Sequence, residues 1–325
     1  MAQKSHSMRK ILLAILMCFA SILMTLPVFS MQQNPVWMFN YKDTFLDIAC
    51  INKQQAVIVG DRGQILVTHG TYKNLWAPRD SKTKEMLTSL SFIDDKHGWA
   101  AGHGGIIIHT EDGGENWDVQ RESSPQNLPI FDIQFVSKNI GYASGAYDTL
   151  LKSVDGGKSW NSIPTGTGTD AIYNGLFFHD AENGFLLGEF GSLLKTSDGG
   201  ESWKQMNIAD YQGSLFGITF LSRQKALAYG ISGKLFISHD GGENWTDIPT
   251  GTKEALFRAA AKGGDVVIVG KSGVILLSND GAKSFTKKFE PDNYSFAGVC
   301  AHAEDGFVAV GEFGKILSIE TVRNE

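Results

Sequence analysis

The chain alternates short apolar runs with glycine-rich breaks, and almost nowhere beyond residue 30 does it keep a helical period. Ala56-Val57-Ile58-Val59 leads to Gly60, and Ile65-Leu66-Val67 follows; Val266 to Val269 and Val274 to Leu277 repeat the theme. Brief β-branched runs bounded by glycine predict strands joined by tight turns. The unit is clearest in GWAAGHGGIIIHTEDGGENW, from Gly98 to Trp117. Its first inner glycine recurs as Gly60, Gly102, Gly145, Gly188, Gly230, Gly270 and Gly311, at intervals of 42, 43, 43, 42, 40 and 41 residues. Seven copies at that period predict a seven-bladed β-propeller of four-stranded antiparallel blades, an all-β fold.

A second signature marks each outer turn. Thr110-Glu111-Asp112-Gly113-Gly114-Glu115-Asn116-Trp117 fits Ser/Thr-x-Asp-x-Gly-x-x-Trp, and Ser153 to Trp160, Thr196 to Trp203 and Ser238 to Trp245 match it. Ser278 to Phe285 is a weaker copy, with Ala282 at the second glycine position. Aspartate hydrogen-bonds its own turn and glycine supplies positive φ, so this Asp-box reads as scaffold. The outer-strand aromatics are Trp76, Trp117, Trp160, Trp203, Trp245 and Phe285, while the seventh repeat runs out near Arg323. Trp37 lies 39 residues before Trp76, so residues 35–41 are expected to supply the missing strand and close the ring. Closure removes the exposed edges of an open stack.

Residues 1–30 change the picture of where the chain works. Met8-Arg9-Lys10 precedes an apolar run from Ile11 to Leu26, then Pro27 and Val28-Phe29-Ser30. That is the grammar of a secretory signal peptide cleaved before Met31, with an uncleaved anchor as the alternative. The expected domains are therefore 1–30, the leader, and 31–325, the propeller. The protein is expected to be exported, periplasmic or lumenal, in contact with a membrane at most peripherally.

The formal charge is −6, and beyond the leader 26 basic residues face 35 acidic ones. That balance argues against nucleic acid, whose binding rests on phosphate neutralisation. Cys50 and Cys300 occupy matching inner-strand positions of blades one and seven, which become neighbours on closure. Inner strands of adjacent blades are expected to hold them beyond disulfide reach, as two buried thiols.

The GWAAGHGGIIIHTEDGGENW stretch, with LLKSVDGGKSW and LLKTSDGGESW, resembles the photosystem II assembly and stability factor family over about residues 35–322. The resemblance implies a non-enzymatic exported scaffold that holds membrane-protein subunits during assembly. The family extends to bacteria without photosynthesis, where its association is with membrane exporters. The implied partner is therefore a membrane-protein complex, photosystem II-like or an exporter, bound by a monomer.

Residues that break the repeat at exposed turns are the binding candidates. The inner turns read Asp61-Arg62, His103-Gly104, Ala146-Tyr147-Asp148, Glu189-Phe190, Ile231-Ser232, Lys271-Ser272 and Glu312-Phe313, and in a propeller they converge on one channel mouth. Asp61, Arg62, His103, Tyr147, Asp148, Glu189, Phe190, Lys271, Glu312 and Phe313 form the candidate partner-binding set, because aromatics and arginine anchor interfaces. The interblade loops add Arg79, Lys82, Arg121, Tyr211 and Tyr294 to that face. Phe131, Phe216, Phe257 and Phe296 begin the inner strands in one register and read as interblade core.

The alternative is an exported glycan-acting hydrolase of the sialidase type, since such enzymes also carry Asp-boxes. It would need three arginines converging on a substrate carboxylate. Beyond the leader there are six: Arg62, Arg79, Arg121, Arg223, Arg258 and Arg323. The Phe/Tyr-Arg-Ile-Pro segment is absent. Glu189 and Glu312, three blades apart, are too far around the ring for a carboxylate pair working on one bond. His97, His103 and His109 are spaced by six, which fits no common metal motif. No catalytic residue, metal or cofactor is assigned.

Overall fold

The computed structural model describes residues 43–320, apart from 71–75, 125, 168–170 and 303–305. The described residues form seven antiparallel sheets, each running outward from one innermost strand in chain order. Blades 1 to 7 begin with Phe45–Cys50, Leu87–Phe92, Ile130–Phe135, Tyr173–Phe178, Leu215–Phe220, Leu256–Lys262 and Phe296–Ala301. Blades 1 to 6 have four strands, and blade 7 has three among the described residues. The leader, the strand expected at 35–41 with Trp37, and Arg323 lie outside the described residues. The innermost strands neighbour one another around a full circle, with Phe296–Ala301 against Phe45–Cys50.

The period of the seven glycines has a direct physical cause. Each ends the second strand of its blade, where the chain passes over the carbonyl that leads into the first strand. A Cβ on Gly102 would sit 1.9 Å from the Met86 carbonyl oxygen, and one on Gly188 2.1 Å from that of Ile172. The same oxygens accept hydrogen bonds from the next amides, His103 N at 2.9 Å and Glu189 N at 3.1 Å. The turn is thus pinned to its own blade by a contact that leaves no room for a side chain.

The Asp-boxes lock each turn and then lock blade to blade. Asp112 accepts from Thr110 Oγ1 at 2.9 Å and from Asn116 N at 2.9 Å, while Gly114 N donates to Thr110 Oγ1 at 2.9 Å. The pattern repeats at Asp155, Asp198, Asp240 and Asp280. Hydrogen bonds from Ser159 and Ser202 to Asp155 and Asp198 hold those carboxyls down at about 2. Gly114 packs against Val57 of the preceding blade, and Gly242 against Phe185. Trp117 and Trp245 are buried beside them. All five aspartates are therefore engaged as structure.

The second strand of every blade is buried apart from Gln55 and Asp265 at two strand starts, and the core divides into seven apolar clusters. Most of these clusters lie between neighbouring blades: Trp99 of blade 2, for example, stacks on Phe135 of blade 3 at 3.5 Å. The four inner-strand phenylalanines do not share one register. Phe296 pairs with Gly311 and is fully buried, in the position of Leu215 and Leu256. Phe131, Phe216 and Phe257 stand one residue later and are only half-buried. Thr88 and Asn174 at that later position bond the next blade's carbonyls of Ile130 and Leu215.

The cysteines also depart from expectation. Cys50 and Cys300 form a disulfide, with Cα atoms 5.6 Å apart and 250 residues between them in sequence. Cys50 is the last and Cys300 the next-to-last residue of the innermost strands of blades 1 and 7, at the side away from the inner turns, where those strands run close enough to be bridged. Cys50→Ser is expected to lower the unfolding free energy by about 2–4 kcal/mol, since a cross-link spanning this much chain restricts the unfolded state. Urea denaturation measures the loss, and a non-reduced digest should yield the peptide pair containing Cys50 and Cys300 still joined.

Candidate functional site

The inner turns share an unusual backbone. After the crowded glycine comes one residue, then two in the left-handed region: the first is Arg62 (φ 55°), Gly104 (63°), Tyr147 (52°), Phe190 (53°), Ser232 (58°), Ser272 (54°) or Phe313 (57°), and the second is glycine in every blade except blade 3, which has Asp148 (59°). Glycine fits such a position without penalty, whereas a side chain costs about 1–2 kcal/mol there. Blade 2 places glycine at this point, and blades 3, 4 and 7 place large aromatics. Those aromatics stand in solvent: Phe190 is 78% exposed, Tyr147 61% and Phe313 48%. Their rings therefore place exposed apolar surface on a strained backbone.

The ten candidate residues fall into two sorts. Some are tied into the scaffold. Asp61 accepts from Thr44 N at 3.2 Å, and Arg62 pairs with the buried Asp43. Asp148 accepts from Thr165 Oγ1 at 2.7 Å and Tyr173 OH at 2.9 Å, which supports its own left-handed backbone. Glu312 accepts from Ser295 N at 2.8 Å. The others make no side-chain hydrogen bond or ion pair among the described residues. Tyr147, Phe190 and Lys271 project into solvent, and Phe313 packs beside Tyr294 with centroids 4.5 Å apart. His103 and Glu189 are half-buried. Glu189 and Glu312 stay on separate blades, each in its own turn. From the interblade loops, Arg79 pairs at 2.8 Å with Glu115 in the next blade's Asp-box, and Arg121 donates to Gly105 O and Asn127 Oδ1.

Beside Glu189 and Phe190 opens a groove of about 750 Å³, bounded by the blade 4 inner turn and the segment 205–212. Met206 and Ile208, themselves buried, form its apolar floor, and Tyr211 a wall. Tyr211 is held by hydrogen bonds from its hydroxyl to the carbonyls of Ser214 and Ile231.

Deeper in the channel lies a constellation that reading the turns missed. Arg258 of blade 6 reaches Asp47 of blade 1 at 3.2 Å and Asp132 of blade 3 at 3.6 Å. Asp47 also accepts from Ile48 N and Leu90 N, each at 2.9 Å. Asp132 accepts from Ser89 Oγ at 2.7 Å and Leu176 N at 3.0 Å. Burial pushes the Asp47 carboxyl above its ordinary value despite the guanidinium beside it. Burial works against the charge on Arg258 too, but the two carboxylates override it and hold the guanidinium above its ordinary value. A cavity of about 170 Å³ adjoins this clasp, lined in part by Gln134, Thr219 and Tyr229. Aligning the seven inner strands two residues past their start gives Asp47, Ser89, Asp132, Gly175, Gly217, Arg258 and Gly298. That register set was the available signal: three charges among small residues, at one level of the channel.

The sequence match decides the family. The model of the photosynthesis system II assembly factor YCF48 family matches residues 28–129, 119–252 and 165–319. The chain belongs to this family. Solved structures of the same fold include YCF48 bound to D1 peptide, with TM-score 0.71 and 19% identity over 86% of this chain and 94% of that one. YCF48 from Cyanidioschyzon merolae aligns with TM-score 0.67 and 15% identity over 86% and 96%. The GH74 enzyme of Niastella koreensis aligns with TM-score 0.62 and 16% identity, over 86% of this chain but 43% of that one. At these identities the likenesses show the seven-bladed fold. A comparison of the sequence with curated proteins finds no match.

Two stability experiments separate contact residues from scaffold. Phe190→Gly relieves a left-handed phenylalanine and is expected to raise the unfolding free energy by about 0.5–1 kcal/mol. A loss in urea denaturation would mean that the ring supports the fold. Arg258→Leu leaves two buried carboxylates unpaired and is expected to cost about 3–5 kcal/mol, with most of it restored when Asp47→Asn and Asp132→Asn are added. A cost near zero would show that the clasp contributes nothing.

Proposed function

We propose that this protein is an exported, non-enzymatic assembly factor that binds and stabilises a membrane-protein complex through its channel-mouth face. The observation that carries the reading is the set of strained, exposed aromatics, Tyr147, Phe190 and Phe313, on the inner turns of a chain that belongs to an assembly-factor family. One structure similar to this chain is YCF48 bound to D1 peptide, so peptide capture by such a propeller has a precedent. Large apolar rings on rigid hairpins lose little freedom on contact, which suits them to anchor a partner.

Export is supported by the leader grammar of residues 1–30 and by the Cys50–Cys300 disulfide, since such bonds persist in oxidising compartments. The absence of catalysis is supported by the occupation of the channel carboxylates. Asp47 and Asp132 are committed to Arg258 and to backbone amides, which leaves neither placed as a general acid or base.

The test uses the tagged protein and gently solubilised host membranes. The variant carries Tyr147→Ala, Lys271→Ala and Phe313→Ala, whose side chains make no hydrogen bond among the described residues. A membrane complex identified by mass spectrometry should co-purify with the native form and fall by about tenfold with the variant. Equal recovery with both forms would reject the face. Recovery of no specific complex would reject the scaffold.

A further inference from the structure

Three independent features mark the groove on blade 4. Its volume, about 750 Å³, is that of a site that seats several side chains rather than a shallow dimple. Its floor is apolar and belongs to the core: Met206 and Ile208 pack in the same cluster as Leu193, Leu215 and Phe236. Its charge is of one sign. Glu189 and Asp210 line it, and none of the described lining residues is basic.

The two carboxylates are differently placed. Asp210 accepts from Asn207 Nδ2 at 3.2 Å, in a turn where Ala209 and Asp210 both have positive φ. The Glu189 carboxylate has no hydrogen bond or ion pair among the described residues, although other acidic groups at or near this face do: Asp61 with Thr44, Asp148 with Thr165, Glu254 with Ser272, Glu312 with Ser295. At the lip stands Phe190, 78% exposed on a strained backbone. A polar-walled groove with an apolar floor, an unspent carboxylate and an aromatic lip is complementary to an apolar side chain flanked by a cation.

We infer that this groove takes a basic segment of a partner polypeptide, which sets an apolar side chain on the Met206 and Ile208 floor and a lysine or arginine against Glu189. The inference rests on the mouth-face reading above and names the chemistry of what that face holds. The ring of Phe190 covers the entering side chain, and Glu189 selects the charge beside it. Because Glu189 is half-buried, the pairing is screened less than an exposed one but still weakens as salt rises.

The experiment is a selection of random twelve-residue peptides displayed on phage against the purified protein, followed by synthesis of the enriched peptides and titration by fluorescence anisotropy. The expected consensus pairs an aliphatic or aromatic residue with lysine or arginine. Phe190→Gly, which preserves or improves folding, should weaken the selected peptide by about tenfold or more. Glu189→Gln, which keeps shape and removes charge, should weaken it several-fold and flatten its salt dependence. An acidic or uncharged consensus, binding indifferent to both variants, or no enrichment would each overturn the inference. The membrane pull-down keeps the two readings apart. If Glu189→Gln and Phe190→Gly leave complex recovery intact while the Tyr147, Lys271 and Phe313 variant abolishes it, the groove fails and the face stands. If the selected peptides bind in the groove but no complex co-purifies, the groove stands and the assembly role fails.

Discussion

A ring of sheets is stable only if the last sheet meets the first, because each blade buries its faces against its neighbours and an open ring leaves two apolar faces in water. In this protein the meeting of blades 1 and 7 is the point on which the rest depends. Val308 and Val310 of blade 7 share a cluster with Phe45, Ile48 and Ile58 of blade 1. Gly314 N donates to Asp43 O at 2.7 Å at the mouth, and the Cys50–Cys300 disulfide joins the strands at the other end. The seam is held at both ends of the channel, so the inner turns keep fixed positions relative to one another.

A closed ring then allows the turns to be strained. Each inner hairpin is clamped by a glycine that cannot be replaced without driving a Cβ into a carbonyl, and by the amide that bonds the same oxygen. The clamp sets the backbone, and the left-handed residue has no alternative conformation to relax into. Side chains at those positions are free to be chosen for contact. Glycine at 104 is the inexpensive choice, and serine at 232 and 272 and arginine at 62 carry the same backbone strain as the aromatics. Phenylalanine at 190 and 313 and tyrosine at 147 are costly ones, and a folded protein retains a cost where something else gains from it. The Arg258 clasp plays a different part. It joins blades 1, 3 and 6 across the channel axis and spends its carboxylates on geometry.

Much of this was legible in the chain. The glycine interval, the five Asp-boxes and the alternating apolar runs named the fold and the blade count, because a propeller is built from local hairpins whose turn chemistry repeats in sequence. The inner turns were identifiable as the exposed, variable part of each repeat, and they hold the strained aromatics. Three things were out of reach. Whether Cys50 and Cys300 lie within bonding distance depends on how tightly two blades pack 250 residues apart in sequence, and general spacing pointed the wrong way. The register of Phe296 against Phe131 depends on a bulge at the start of each inner strand, and a slip of one residue turns a core ring into a half-exposed one. The division of the candidate acids into bonded and unspent groups depends on neighbours from other segments, as Asp148 with Tyr173 shows.

The sequence by itself therefore determined what repeats: seven blades, their hairpins, their Asp-box locks and the face on which the variable turns lie. These follow from short-range rules of turn geometry and strand periodicity, which a chain carries locally. Only the tertiary structure decided what converges: the blade 1 to blade 7 staple, the Arg258 clasp and the groove beneath Phe190. Each of these joins residues from separate elements, and distance in sequence carries no information about distance in space until the ring has closed.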